Sequence, residues 1–451
     1  MMVEGKLLPV ICTLAFPMIV SQLVNSIYSL ADTFFVSQLG NSATAAIGVN
    51  DALTHFTQAV AMGFGAGASS YISRLLGAKR DKEASQVATT TLAICMGTLC
   101  CLMILGYIFM SPLIDLLGAT PTSKPYSMDY ARFILIGAPF TGGTFVLNQL
   151  LRSEGSTQFS MIGTVSGCFV NIILDPILIS VCGLEVAGAA IATTISKMIS
   201  FTVLLTPYLK KSSILEIKPS NFYFKWKVMK EVLRMGIPTF LRSSCMSVAA
   251  TVTNNVARTF GDYALAAMSV SNKSMRFIQA IIQGFSHGAQ PLVGYCWGAQ
   301  NYKRVKKAIL TVLGVGITLA GVLGLTVSFF TPSIISALTS NSNEQTVWMG
   351  SWVMKTQCYV LPLHMVIMIS SGLYQAMGKA IYSAVLGLSR SLITLIPCML
   401  ILPAIFDIYG LIAARASADV VAFFIMALPL FIKLMRDLSR RMKESQTAQE
   451  N

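Results

Sequence analysis

GFGAGASSYISRLLGA at 63–78 is answered by GFSHGAQPLVGYCWGA at 284–299, with six identities in sixteen positions at an offset of 221 residues. The same offset lays Pro17 on Pro238, Gly40 on Gly261, and GNSATAAIGV (40–49) on GDYALAAMSV (261–270). Farther on it grows to 223, pairing Pro139 with Pro362 and Gly155 with Gly378. It then reaches 227, pairing Pro176 with Pro403 and Gly183 with Gly410. Self-similarity at a long period marks a duplicated structural unit, and an offset that grows places small insertions in the connections.

Between these landmarks the chain is apolar. Of 451 residues, 54% are hydrophobic and 12% charged, about half the charged share of a soluble domain. Runs of about 20 apolar residues read as membrane-spanning helices. The ~10-residue alternation of a membrane barrel is missing. The spans fall at 10–36, 46–72, 86–110, 130–151, 158–182 and 186–208, then at 231–256, 265–291, 306–330, 350–376, 381–405 and 410–433. The fold class is therefore all-α: a polytopic membrane protein of twelve transmembrane helices in two homologous six-helix lobes. The lobes are residues 1–208 and 231–433, joined by a basic linker (209–230) and followed by a charged tail (434–451). Six is an even number, so both lobes run the same way across the bilayer. Parallel repeats of this kind are a known transporter plan, with substrate bound between the halves.

The net charge of +14 reflects topology rather than nucleic-acid binding. Basic residues cluster in alternate connections. One group is Arg74, Lys79, Arg80 and Lys82, and a second is Lys210, Lys211, Lys218, Lys225 and Lys227. Lys303, Arg304, Lys306 and Lys307 form a third, and Lys433, Arg436, Arg440, Arg441 and Lys443 close the chain. Excess Lys and Arg marks the cytoplasmic side, so both termini are expected there. The first apolar run is too long for a cleaved signal and contains Asp32. The ten scattered cysteines form no CxxC pair and read as small hydrophobes.

Charges inside spans are costly, which makes them functional candidates by default. Asp32 lies in the first span (YSLADTFF, 28–35) and Asp175 in the fifth (NIILDP, 171–176). Asn171 precedes Asp175 by four residues and so shares its helix face. Thr193 stands in the sixth span. At ~1.5 Å rise per residue, Asp32 is ~6 Å and Asp175 and Thr193 ~10 Å from the outer helix ends, a common level. Two carboxylates, an amide oxygen and a hydroxyl are hard ligands suited to Na⁺, and two close carboxylates equally hold a proton. At the repeat offsets Asp32, Asn171 and Asp175 meet Thr253, Cys398 and Leu402, so the acids belong to the first half alone. Pro17, on the helix of Asp32, removes a backbone hydrogen bond and is a candidate bending point. Gln22, Asn25, Tyr28, Asn148, Gln149, Gln283, Gln357 and His364 are candidate cavity-lining residues. Arg390, Arg415 and Asp419 are read as a structural pairing in the last two spans.

There is no GxxxxGK[ST] loop and no HExxH, which excludes nucleotide hydrolysis and zinc-protease chemistry as the working principle. Pro17 with Asp32, LRSEG (151–155), NIILDP, the GAAIAT run (188–193) and GAQPLVGYCWGAQNYKR (288–304) together resemble the multidrug and toxic compound extrusion (MATE) family, across nearly the whole chain. The match is most similar to the bacterial drug-exporter branch. The resemblance implies two lobes that open alternately to each side, and export of cationic and amphipathic compounds in exchange for Na⁺ or H⁺. It carries the family's first-lobe ion site onto Asp32, Asn171, Asp175 and Thr193, and cavity positions onto Asn25, Tyr28 and Asn148. Some members have a second-lobe carboxylate; here the equivalent helix reads TNN (253–255).

The reading is a secondary multidrug exporter rather than an enzyme, with no cofactor and a coupling ion of Na⁺ or H⁺. Its expected partners are cationic drugs or dyes and the lipid bilayer, with no nucleic acid. It is expected to be a monomer in the bacterial cytoplasmic (inner) membrane. The alternatives are a flippase of lipid-linked precursors, whose cavity should display several arginines where this sequence displays acids, or a membrane-embedded scaffold or enzyme.

Overall fold

In hydrocarbon a spanning segment must satisfy its own backbone N–H and C=O groups, and the apolar runs do so as helices. The computed structural model describes residues 5–37, 39, 41–338 and 344–450. The first half contains α1 (Leu7–Ser37), α2 (Asn41–Gly77), α3 (Asp81–Ile108), the short α4 (Met110–Leu116), α5 (Lys124–Ser153), α6 (Thr157–Pro176) and α7 (Glu185–Leu209). The second contains α8 (Trp226–Arg258), α9 (Asp262–Gly298), α10 (Tyr302–Leu338), α11 (Glu344–Ala376), α12 (Ala380–Leu388), α13 (Leu395–Ala422) and α14 (Leu428–Glu450). Among the described residues there is no strand, and all ten cysteines are free.

Twelve spans emerge once the last three helices are divided correctly. α12 runs through a π-helical turn (Ser389–Thr394) into α13. α13 is itself broken at Phe406 (φ −117°, ψ 16°) and Asp407 (φ 49°, ψ −132°). The eleventh span ends at this kink and the twelfth begins after it. Eight described segments are long and apolar enough to cross a membrane by composition alone, the kinked pair counting as one. α2, α8 and α9 are the polar ones. At 33 to 37 residues they are longer than the ~20 residues a bilayer requires, so their polar residues need not all lie at its centre.

The duplication is visible in the backbone. Gly155 and its repeat partner Gly378 both adopt a left-handed φ (88° and 78°), each terminating a helix as only glycine does without strain. Lys79 and Gln300, paired at offset 221, repeat the same left-handed turn (φ 58° and 55°).

The chain divides into two compact units, one of residues Val20–Phe240 and the other of Met1–Ile19 with Leu241–Asn451. The borders fall inside α1 and α8, three residues after Pro17 and Pro238, rather than in the 209–230 linker. The opening of α1 thus belongs with the second half: a side chain at Gly284 would stand 2.5 Å from the Ile19 backbone, and Gly288 lies against Ala15. The opening of α8 belongs with the first half, where Gly67 lies against the Val232 carbonyl and Gly236 against Gly63. The glycines that announce the repeat are the points where α2 and α9 admit these helix openings at backbone contact.

The linker is strapped down within the first unit. Glu154, at the end of α5, accepts hydrogen bonds through one oxygen from Ser213 Oγ (2.6 Å) and from the N–H groups of Ile214 (3.1 Å) and Leu215 (3.3 Å). Ser85 and Thr90 of α3 accept the N–H groups of Glu216 (3.0 Å) and Tyr223 (3.1 Å). Only 6% of Glu154 is exposed, and burial pushes its carboxyl from an ordinary 4.5 up to about 7 against those hydrogen bonds. At the other end of the chain α14 extends the last span, and Leu434 and Leu438, one turn apart, are buried in the second unit's core. The segment after 433 therefore has an apolar stripe beside its charges.

Candidate ion-coupling site

Four elements of the first unit build the site, and small residues bring them together. α6 carries Asn171 and Asp175 on one face, ends at Pro176, and continues as a π turn (Ile177–Val181). Such turns recur at functional sites because they redirect side chains. α7 packs onto that turn closely: a side chain at Gly188 would come 2.7 Å from the Leu178 carbonyl. Thr194 Oγ1 donates to Phe133 O of α5 at 2.8 Å, fixing the register of α7. The GAAIAT run thereby sets Thr193 opposite Asn171.

Asn171 and Asp175 are almost fully enclosed (1% and 0% exposed). With its nitrogen turned toward the acid, the Asn171 amide donates to Asp175 Oδ2 at 2.7 Å and accepts from the Thr193 N–H at 3.2 Å. The Thr193 hydroxyl is hydrogen-bonded to Tyr28 of α1. Asp32, one turn beyond Tyr28, lies within electrostatic range of Asp175. The structure therefore links Tyr28, Asn171, Asp175 and Thr193 by hydrogen bonds and sets Asp32 within electrostatic range of them. Two charges that the sequence reading overlooked also act on Asp32: Asp51 of α2 and Lys197 of α7. The Lys197 ammonium stands 5.7 Å from the centre of the Tyr28 ring. Lys197 is four residues beyond Thr193 and so on its helix face, a spacing that was available in the sequence. Among the described residues no three His, Cys, Asp or Glu side chains cluster as a metal group would. The site is an acid pair supplemented by neutral oxygens, a set matched to a proton or a weakly held monovalent ion.

The remaining candidates are dispersed. Asn148 is engaged by α6, donating to Thr164 Oγ1 and accepting from Ser160 Oγ, both at 2.7 Å. Gln149 packs against Gly65. Gln22 is half-buried and Asn25 exposed on α1. Pro17, Gln283, Gln357 and His364 belong to the other unit. There His364 stands 3.7 Å from Asp419, and Gln357 donates to the Val353 carbonyl. The expectation that arginines do not gather in a cavity fails for this unit: Arg276, Arg390 and Arg415 line one. The expected grouping of Arg390, Arg415 and Asp419 is also only partly a pairing. Arg390 Nε bonds Asp419 Oδ1 at 2.7 Å, while Arg415 turns to Asn272. The sequence reading missed this because Arg276 is more than a hundred residues away along the chain.

A family model, MatE, matches residues 17–177 and again 238–400, each match opening on one of the repeat's prolines. The chain belongs to the MatE family. Members are membrane transporters, and this MatE chain is a multi-pass transporter rather than an enzyme. It is similar to "Multidrug export protein MepA" of Staphylococcus haemolyticus, with 29% identity over 94% of this chain and 93% of the relative. Two solved structures share its fold at 26% identity. One is MATE in the straight conformation (TM-score 0.91, 98% of each chain). The other is MATE in the bent conformation (TM-score 0.88, 99% of this chain and 98% of that one).

Proposed function

We propose that the protein is a multidrug exporter that drives cationic and amphipathic small molecules out of the cell by exchange for an inward-moving Na⁺ or H⁺. The kinship to multidrug export proteins supports the efflux reading. The observation that carries the exchange is that the enclosed Asp175, hydrogen-bonded to Asn171, and the half-buried Asp32 act on each other electrostatically beside Thr193 and Tyr28. An acid pair favours occupation by one positive charge, and an entering ion competes with a departing organic cation for it. α1 carries Asp32 in one unit and Pro17 in the other. Ion occupancy thus acts on a helix already weakened at its proline, and that bend gates release.

The test is ethidium efflux from loaded proteoliposomes under an imposed Na⁺ or pH gradient, for wild type and Asp32→Asn. Gradient-driven efflux that vanishes in the variant supports the reading, and the effective gradient names the ion. Equal efflux from both proteins refutes coupling at Asp32. No efflux under either gradient would favour flipping of a lipid-linked precursor.

A further inference from the structure

The unit of Met1–Ile19 and Leu241–Asn451 holds a cavity of about 260 Å³. Its walls include Arg276 of α9, Arg390 of the turn after α12 and Arg415 of α13, set among Met246, Met275 and Leu395. Arginine inside a membrane span is costly and is retained where it has work to do. Three in one cavity exceed what the local structure compensates. Asp419 answers Arg390. Arg415 is held by the neutral side chain of Asn272, and its Nε is buried with no hydrogen-bond partner. Arg276 is exposed and makes no ion pair among the described residues. Three arginines against one carboxylate therefore leave two positive charges at the cavity.

We propose that this cavity is an oxyanion subsite that takes the carboxylate or phosphate of an amphipathic organic molecule. The inference rests on the efflux reading and adds acidic compounds to the substrates. Guanidinium forks meet an oxyanion in paired hydrogen bonds. The apolar wall suits the carbon skeleton beside the acid. A volume of about 260 Å³ is below the ~300–1,000 Å³ of sites that enclose a whole drug-sized ligand, so the cavity fits the acidic end of a molecule. The two halves differ here as they do at the acids: at offset 221 Asn272 and Arg276 replace Asp51 and His55. The first half is decorated for cations and the second for anions.

The experiment compares a dansylated undecanoic acid with its methyl ester, by dansyl emission, on the full chain in phosphatidylcholine nanodiscs. The acid is expected to bind about tenfold tighter than the ester. Arg276→Gln should remove that preference, and Arg276→Lys should keep part of it. Arg276 is exposed and unpaired, so its loss should leave the fold intact, whereas Arg390 and Arg415 are tied into the core. Equal binding of acid and ester by wild type, or a preference that survives Arg276→Gln, overturns the proposal. Nanodiscs containing phosphatidylglycerol separate the sources: competition with the acid assigns the site to a lipid headgroup, and no competition assigns it to soluble acids. Ethidium efflux by wild type is run in parallel. Efflux without acid preference removes the subsite alone, while acid preference without efflux removes the exporter reading alone.

Discussion

Glu154 offers a pH dependence that can be worked out in advance. Its Oε2 receives three donors from residues 213–215, while Oε1 is buried and unpaired. A proton therefore enters at Oε1 without displacing the hydrogen bonds at Oε2. With the linker docked, the carboxyl titrates at about 7 rather than 4.5. The docked state holds its proton more tightly, so docking strengthens as pH falls from 7 to 4.5 and is level outside that window. The difference is worth roughly 3 kcal/mol, at about 1.4 kcal/mol per tenfold. Hydrogen exchange at the Ile214 and Leu215 amides reads it directly, as protection corrected for the intrinsic rate. Protection should rise on the order of a hundredfold between pH 8 and pH 4.5 in wild type. Glu154→Gln mimics the protonated form and should be flat across the same range. A flat wild type, or a Gln variant with the wild-type slope, would refute the argument that burial outweighs the three donors.

Other outcomes follow from single contacts. Gly284→Ala should lower thermal stability by about 1–3 kcal/mol, because the new carbon meets the Ile19 backbone at 2.5 Å. Its repeat partner Gly63→Ala should be tolerated, since the nearest atoms there are 3.6 Å away; equal effects would break the packing account. Asp419→Asn leaves the half-buried Arg390 without its counter-charge and should cost about 1–3 kcal/mol, read as a lowered melting temperature of the purified protein. Pro17→Ala restores a backbone hydrogen bond in α1 and should slow coupled ethidium efflux without unfolding the protein; an unchanged rate would remove the bending step.

The sequence displayed the duplication, the twelve spans and the acid pair, because each leaves a one-dimensional trace. Repeated glycines, long apolar runs and a charge inside a span are all legible without coordinates. Asn171 and Asp175 were linked by a spacing of four. Asp51 and Arg276 were harder to find, since polar α2 and α9 carry so many hydrophilic residues that one more charge does not stand out; Lys197, in apolar α7 four residues beyond Thr193, was within reach of the same spacing argument. The break at Phe406 and Asp407 falls in the gap between the expected spans 381–405 and 410–433, so it too was legible. The burial of Leu434 and Leu438 was hidden by the charges around them. The linker carries many lysines, yet it is held by Glu154, Ser85 and Thr90, three residues outside it.

The opening of α1 has a consequence for how the chain is made. Residues 7–19 are synthesised well before Gly284 and Gly288, which receive Ile19 and Ala15 and come more than 260 residues later. At about 5–20 residues per second, the nascent helix waits roughly ten seconds to a minute for the surface it packs on. Until then this segment lacks the surface it packs on in the finished fold. Neither gene half encodes a self-sufficient product, because each leaves out the leading helix segment that completes its own unit. The two halves of the gene are therefore tied together at the level of packing, each half supplying the helix opening against which the other's glycines close.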